Sequence, residues 1–318
     1  MKELSETKLI VVAGPTASGK SALGLALAEE FHGTVINADS MQVYRDLEIL
    51  TARPGPEDIS RVPHRLYGAI DGADLCSAAR WRDLALAAIE EAQGEGRVPI
   101  LVGGTGLYIR TLLQGIAAVP EISAEVRAQS RALHEELGGV RFREVLAEKD
   151  PEGAAKLASG DSQRLMRAYE VVVGTGRSLA SWQGEQVAEN RFRTAMIGVL
   201  PPRPTLYAAC DGRFETMMKR GALDEVRRLV ARHLDPALPV MKALGVPELI
   251  RVLAGEIGRE EAVSSAQQAT RNYAKRQITW FRNQLPASER LEKLILDAQF
   301  SESFLADSFS FIRRFLLT

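Results

Sequence analysis

Two cysteines and four histidines are all that the 318 residues contain. Cys76 and Cys210 lie far apart, and His32, His64, His134 and His233 are equally scattered. Neither a disulfide framework nor a zinc site built from nitrogen and sulfur is expected. No apolar run reaches the ~20 residues a membrane helix needs. The start of the chain is polar up to Lys8 and lacks the apolar block of a secretory leader. A cytoplasmic protein with reduced thiols and no membrane partner is therefore expected. An excess of one charge is missing too. With 40 basic and 41 acidic residues the net charge is −1, which neither demands nor excludes a nucleic-acid partner. Internal repeats and low-complexity tracts are absent.

What is present begins with the run Leu9-Ile10-Val11-Val12-Ala13, which leads into Gly14-Pro15-Thr16-Ala17-Ser18-Gly19-Lys20-Ser21. A helical pattern, Ala22 to Ala28, follows. A strand entering G-x-x-x-x-G-K-S and then a helix is a phosphate-binding layout. Glycines let backbone N–H groups converge on phosphate oxygens, Lys20 adds a positive charge, and the Ser21 hydroxyl can ligate Mg²⁺. The four fixed positions would arise by accident in a chain this long only ~1 time in 100. The chain is expected to bind a di- or triphosphate.

The first third alternates β-rich runs (Thr34–Asn37, a weaker Arg65–Ile70, and Val98–Val102) with helical stretches such as Ala78–Gln93. That rhythm predicts a parallel sheet with helices on both faces. From about Pro120 to Asn190 only helices are expected: Ser123–Leu137, Arg141–Glu148 and Asp161–Val173, the last opened by a capping Asp or Ser. A strand returns at Thr194–Leu200, and helices follow at about Leu206–Arg220, Leu223–His233 and Arg259–Asn283. The predicted fold is α/β, a P-loop NTPase-like parallel sheet flanked by helices, interrupted by an all-helical insertion. Residues 1–118 and 194–285 make the core and 119–193 the insertion. Residues 286–318, with Phe300, Phe304, Phe309, Phe311 and Phe315, form a tail expected either to dock as a helix or to fray.

In such sheets ligands collect at the carboxyl ends of the strands. The second strand ends in Asn37-Ala38-Asp39-Ser40, which brings Asp39 near the phosphate loop. Asp39 is an N-cap, a magnesium-orienting carboxylate or a general base. Strand Val98–Val102 ends in Gly103-Gly104-Thr105-Gly106, a tight turn or a close backbone approach to a ligand, with Thr105 on a phosphate oxygen. A Walker-B aspartate and a compact arginine-rich lid are both missing, which weakens a kinase or ATPase reading.

Two segments suit RNA. Asp161–Arg167 opens a helix with Gln163, Arg164 and Arg167 away from a buried stripe of Leu165, Tyr169 and Val172. In Arg271–Arg282, the helical period brings Arg271, Lys275 and Arg282 within about 40° of one another, opposite Tyr273 and Trp280. Each segment is by itself an ordinary solvated face; together with a phosphate loop they favour contact with a nucleic-acid backbone.

These segments together resemble the bacterial tRNA dimethylallyltransferases, the isopentenyl-diphosphate transferase family. The matching stretches are Gly14–Ser21, Asn37–Tyr44, Thr51–Pro54, Val62–His64, Gly103–Tyr108, Asp161–Arg167 with Thr175-Gly176, Arg213 with Met217 and Gly221, and Lys275–Arg282. The resemblance implies transfer of a five-carbon group from dimethylallyl diphosphate to N6 of the adenosine 3′ of a tRNA anticodon. It implies Asp39 as base, and Lys20, Thr105, Arg213 and Mg²⁺ at Ser21 on the departing diphosphate. It also implies tRNA contacts at Asp39, Ser40, Met41, Gln42, Thr105, Arg127, Gln163, Arg164, Leu165, Met166, Arg167, Arg271, Lys275, Arg276 and Arg282. The enzyme is expected to act as a monomer, its insertion gripping the anticodon stem. The pattern departs from the family at Ala243–Glu248, where Val246 stands for a tyrosine, and at Arg53 and Arg65. A small-molecule kinase and an adenylate isopentenyltransferase acting on free AMP are the alternatives; the long insertion and basic helix weigh against the second.

Overall fold

The computed structural model describes residues 7–185, 191–284 and 289–318. They form two compact units: Met1–Leu113 with Asn190–Thr318, and Gln114–Glu189.

The first unit is built on six strands: β1 (Thr7–Ala13), β2 (Gly33–Asn37), β3 (His64–Arg65), β4 (Val98–Gly103), β5 (Phe192–Val199) and β6 (Leu291–Leu296). All pair in parallel, in the order β3-β2-β4-β1-β5-β6. Ile10 of β1 aligns with Ile100 of β4 and Ala195 of β5. A parallel sheet covered on both faces needs apolar side chains on both, which explains the unbroken run Leu9–Ala13. Leu9 and Val11 join one core with Trp81 and Ala85 of helix Ala78–Gly94 and Phe281 of helix Arg259–Asn283. Ile10 and Val12 join the other, with Leu23 and Leu27 of helix Lys20–Glu30 and Phe315 of helix Leu305–Leu317.

Two expectations change. The weak strand Arg65–Ile70 shrinks to the two residues of β3, because the chain turns at Leu66 and Gly68 with positive φ. Ile70 makes only an isolated bridge to Tyr44. The segment beyond Pro286 supplies the edge strand β6 and a packed helix. No apolar stripe was legible there because Phe300 and Phe304 precede the helix, and Phe311, Ile312 and Phe315 share its buried face with the polar Ser308. The two helices expected before Lys149 are both present within Ala124–Lys149, separated at Gly138, whose φ of 68° and ψ of 165° lie outside helical space.

The second unit contains helices Ala124–Lys149, Pro151–Lys156, Ser162–Thr175 and Leu179–Gly184 and, among the described residues, no strand. Its core is Phe142, Leu146, Leu165 and Tyr169. The Asp150 carboxylate caps Pro151–Lys156 by accepting from Gly153 N–H at 2.9 Å.

One buried carboxylate organises a loop that reaches the site. Glu225 is 3% exposed and accepts the N–H groups of Glu48, Ile49 and Leu50 at 2.7, 2.8 and 2.9 Å. Those bonds hold the turn that presents the Thr51 carbonyl. Glu225→Gln removes the charge and sets an amide N–H against the third backbone donor. We expect it to cost about 3 kcal/mol, read as a lower urea midpoint at unchanged slope.

Candidate active site

β1 hands the chain to the phosphate loop at Gly14, which is pressed against β5: a Cβ there would lie 2.5 Å from the Val199 carbonyl oxygen. Ala17 adopts φ 62°, and Gly19 φ 90°, just before the helix starts at Lys20. Lys20 is buried and donates to the Pro15 carbonyl at 3.2 Å. Burial, opposed by Asp39 and reinforced by Arg213, lowers its ammonium pKa to about 8. Ser21 is exposed on the first helical turn.

β2 delivers Asp39. Asn37 shapes the exit: its Oδ1 accepts Asp39 N–H at 2.8 Å, and its Nδ2 donates to the Asp39 and Leu66 carbonyls. Asp39 Oδ1 accepts Met41 N–H at 2.9 Å, so one oxygen does cap the following turn. Oδ2 has no hydrogen bond among the described residues. The negative charge of Asp39 raises the phenol pKa values of Tyr67 and Tyr273, on top of a larger effect of burial. Both rings therefore stay neutral O–H donors at neutral pH.

β4 ends in Gly103-Gly104-Thr105-Gly106, and close approach explains the glycines. A Cβ on Gly103 would meet Ala38 backbone at 2.2 Å, and one on Gly106 would enter the Trp280 ring. Thr105 Oγ1 accepts Ser40 N–H at 2.9 Å. Helix Arg203–Lys219 contributes Arg213, which donates to Thr16 Oγ1 at 2.9 Å and to the Thr51 carbonyl at 3.2 Å. Gln42 Nε2 donates to the Thr51 and Ala52 carbonyls at 2.9 and 3.0 Å.

A cavity of about 350 Å³ opens among these groups, lined by Thr16, Ala17, Gly19, Lys20, Ser21, Asp39, Gln42, Thr51, Ala52, Ala209, Arg213 and Gln299. The phosphate loop and the carboxylate thus share one space with two cations. Thr105 does not line it; the structure places its hydroxyl beside Ser40. Gln299 was missed in the sequence. It comes from the segment after β6, donates to the Ala17 carbonyl at 2.7 Å, and leaves no local motif to find. Thr51 and Ala52 were also missed as lining groups, although they stand in one of the stretches matching the family.

A family model described as IPP transferase matches residues 42–284. The chain belongs to that family. A tRNA dimethylallyltransferase of Rhodospirillum rubrum is 54% identical over 312 residues, covering 98% of this chain and 95% of that protein. One of Paramagnetospirillum magneticum is 51% identical over 317 residues, 99% and 98% of the two chains. Among solved structures, the tRNA isopentenylpyrophosphate transferase of Bacillus halodurans superposes with a TM-score of 0.68 at 31% identity, covering 96% of this chain and 95% of that one. A eukaryotic dimethylallyltransferase acting on tRNA gives 0.81 at 28% identity, covering 97% and 80%. None of these names favours the kinase or the free-AMP alternative.

In this member of the IPP transferase family the expected RNA-facing residues divide. On helix Arg259–Asn283, Lys275, Arg276 and Arg282 are exposed. Arg276 lies over the Tyr273 ring, 5.6 Å from its centroid. Arg271 is already paired, donating to both carboxylate oxygens of Asp211 at 2.6 and 2.7 Å, so the basic rail carries less free charge than the helical period suggested. Within the second unit Gln163, Arg164 and Arg167 are exposed, whereas Leu165 is fully buried against Phe142 and Leu146. Its side chain is core and is withdrawn from the tRNA contacts; Met166 is half-buried against the same core. Leu165 and Tyr169 are buried in that core and Val172 packs against it, as the stripe predicted; Val171 is buried on the same helix as well. Asp161 makes no side-chain cap and pairs with Arg164 at 3.5 Å. Arg127 is half-buried and, with Arg167 and Arg131, surrounds Glu170, whose carboxyl pKa burial pushes up.

Proposed function

We infer that this chain transfers the dimethylallyl group of dimethylallyl diphosphate to N6 of the adenosine 3′ of a tRNA anticodon and releases diphosphate. The observation that carries the reading is the shared cavity: an anion-binding loop, two cations and the Asp39 carboxylate on one wall set. A kinase could use the same loop and a base, but the sequence lacks both a Walker-B aspartate and a compact arginine-rich lid.

In the transfer, the bond between the prenyl C1 and the diphosphate oxygen breaks as the adenine N6 forms its bond to C1. The amine lone pair is delocalised into the purine, so loss of an N6 proton must accompany attack, and Asp39 Oδ2 accepts it. Lys20, Arg213 and loop N–H groups stabilise the charge that collects on the leaving diphosphate. Thr105 and Ser40 brace the Asp39 turn on the acceptor side. Because the base is stacked in a free anticodon loop, it must turn out to reach the cavity. Lys275, Arg276 and Arg282 in one unit, and Arg164 and Arg167 in the other, are suited to RNA phosphates. The enzyme works in the cytoplasm as a monomer.

Magnesium fits this donor set. Among the described residues no cluster of three His, Cys, Asp or Glu offers an all-protein cage. Ser21 presents one exposed hydroxyl, which suits an ion that takes its other oxygens from diphosphate and water. When bound, Mg²⁺ neutralises charge on the diphosphate.

The lowered Lys20 pKa sets a pH dependence. The ammonium form holds the donor, and in the free protein it is lost as pH rises through about 8 rather than 10.5. kcat/KM for dimethylallyl diphosphate, which reports free-enzyme ionisations, should therefore fall above pH 8, while kcat holds because the bound anion restores the proton. Lys20→Arg should remove that fall. A profile flat to pH ~10 would contradict it.

The reaction itself is tested by mixing protein, Mg²⁺ and dimethylallyl diphosphate, then adding unmodified tRNA. Diphosphate should be released only with tRNA, and AMP should not substitute. Release with AMP alone, or phosphate transfer from ATP, would refute the assignment.

A further inference from the structure

The acceptor-side helix Arg259–Asn283 reaches into the donor site through one side chain. Gln277 is 5% exposed. Its Oε1 accepts Thr16 N–H at 2.8 Å, and its Nε2 donates to the Gly104 carbonyl at 2.9 Å. A donor on one side and an acceptor on the other fix the orientation of the amide. Thr16 belongs to the phosphate loop and Gly104 to the loop that carries Thr105. The two loops touch: a Cβ on Gly104 would lie 2.3 Å from Gln277 Nε2 and 2.9 Å from the Gly14 carbonyl oxygen.

We propose that Gln277 is a positioning residue for the transfer: its buried amide sets the spacing between the loop that holds the leaving diphosphate and the loop that braces the acceptor side. The proposal rests on the assigned reaction. Two short chains of contact run from this amide. Through Thr16, whose Oγ1 accepts from Arg213, it reaches the cation over the diphosphate. Through Gly104 and Thr105, whose Oγ1 holds Ser40 N–H, it reaches the turn carrying Asp39. Trp280, one turn further along the helix, packs on Gly106 and keeps the same loop from sliding. Bond formation between N6 and C1 requires the two loops in fixed register, and a shift of about 1 Å at such a site lowers turnover ~10²-fold.

A purely architectural glutamine, one that merely satisfies two buried backbone groups, would lower stability and leave the chemistry of the folded protein intact. Kinetics separates the two roles. Gln277→Met keeps length and volume and removes both hydrogen bonds. Gln277→Glu keeps the acceptor for Thr16 N–H and loses the donor to Gly104. Both variants and wild type are assayed well below their thermal midpoints. For Gln277→Met the single-turnover rate should fall ~10- to 100-fold, with tRNA affinity and affinity for inorganic diphosphate with Mg²⁺ within about threefold of wild type. Gln277→Glu should also lose rate, because the donor to the Gly104 carbonyl is gone although the Thr16 contact survives. A wild-type single-turnover rate in folded Gln277→Met would overturn the proposal. So would a rate loss matched by an equal loss of diphosphate affinity. Absence of product from wild type in the same assay would refute the assigned reaction, and the proposal with it.

Discussion

Asparagine in place of Asp39 is expected to slow transfer by ~10²- to 10⁴-fold while leaving tRNA affinity within about twofold. The substitution is nearly isosteric. The asparagine Oδ1 still accepts Met41 N–H, and the main-chain bond to Asn37 Oδ1 is untouched, so the turn after β2 keeps its shape. What disappears is the proton acceptor in the cavity. An adenine amine that attacks without losing its proton becomes a cation beside Lys20 and Arg213, the least favourable place for new positive charge. Single-turnover rates and filter-binding affinities on the same preparation distinguish the outcomes. Lost affinity with intact turnover per bound complex would assign Asp39 to binding instead.

Arg213→Met is expected to lower kcat by ~10²- to 10³-fold, with tRNA affinity again preserved. The guanidinium spans Thr16 Oγ1 in the phosphate loop and the Thr51 carbonyl on the opposite wall, so it is held in place before any ligand arrives. A fixed cation over the leaving group contributes most when its charge develops, which is in the transition state and not in the bound donor. Arg213→Lys should not restore the rate, because one ammonium cannot keep both anchors and address a diphosphate with planar geometry. Full activity in Arg213→Lys would reduce its role to net charge.

How much of this was legible depends on the range of the contacts. Gly14–Ser21 and the strands around it were readable because loop, strand and helix are contiguous and each carries its own period. Asp39 was readable by position, at the end of a strand in a sheet whose carboxyl edge holds the ligand. Gln277 lay inside a recognised motif, yet the motif suggested a face toward RNA. Its partners are 261 and 173 residues away, and no local pattern encodes them. Gln299 came from a segment with no helical stripe, because β6 is a half-exposed edge strand and two of its phenylalanines sit outside the final helix. Leu165 shows the opposite failure. A residue inside a recognised motif was credited with a contact, although its own helical period already placed it in the core. Arg271 was counted as free charge until Asp211, on another helix, was seen to hold it. Glu225, which fixes the Thr51 turn, had no sequence signal beyond one acidic residue among many.

The most direct test of the central claim is the identity of the product. Unmodified tRNA incubated with the protein, Mg²⁺ and dimethylallyl diphosphate, then digested to nucleosides, should yield by mass spectrometry an adenosine heavier by one five-carbon prenyl unit, located 3′ of the anticodon. Recovery of unchanged adenosine, with the donor intact and the protein folded, would contradict the account.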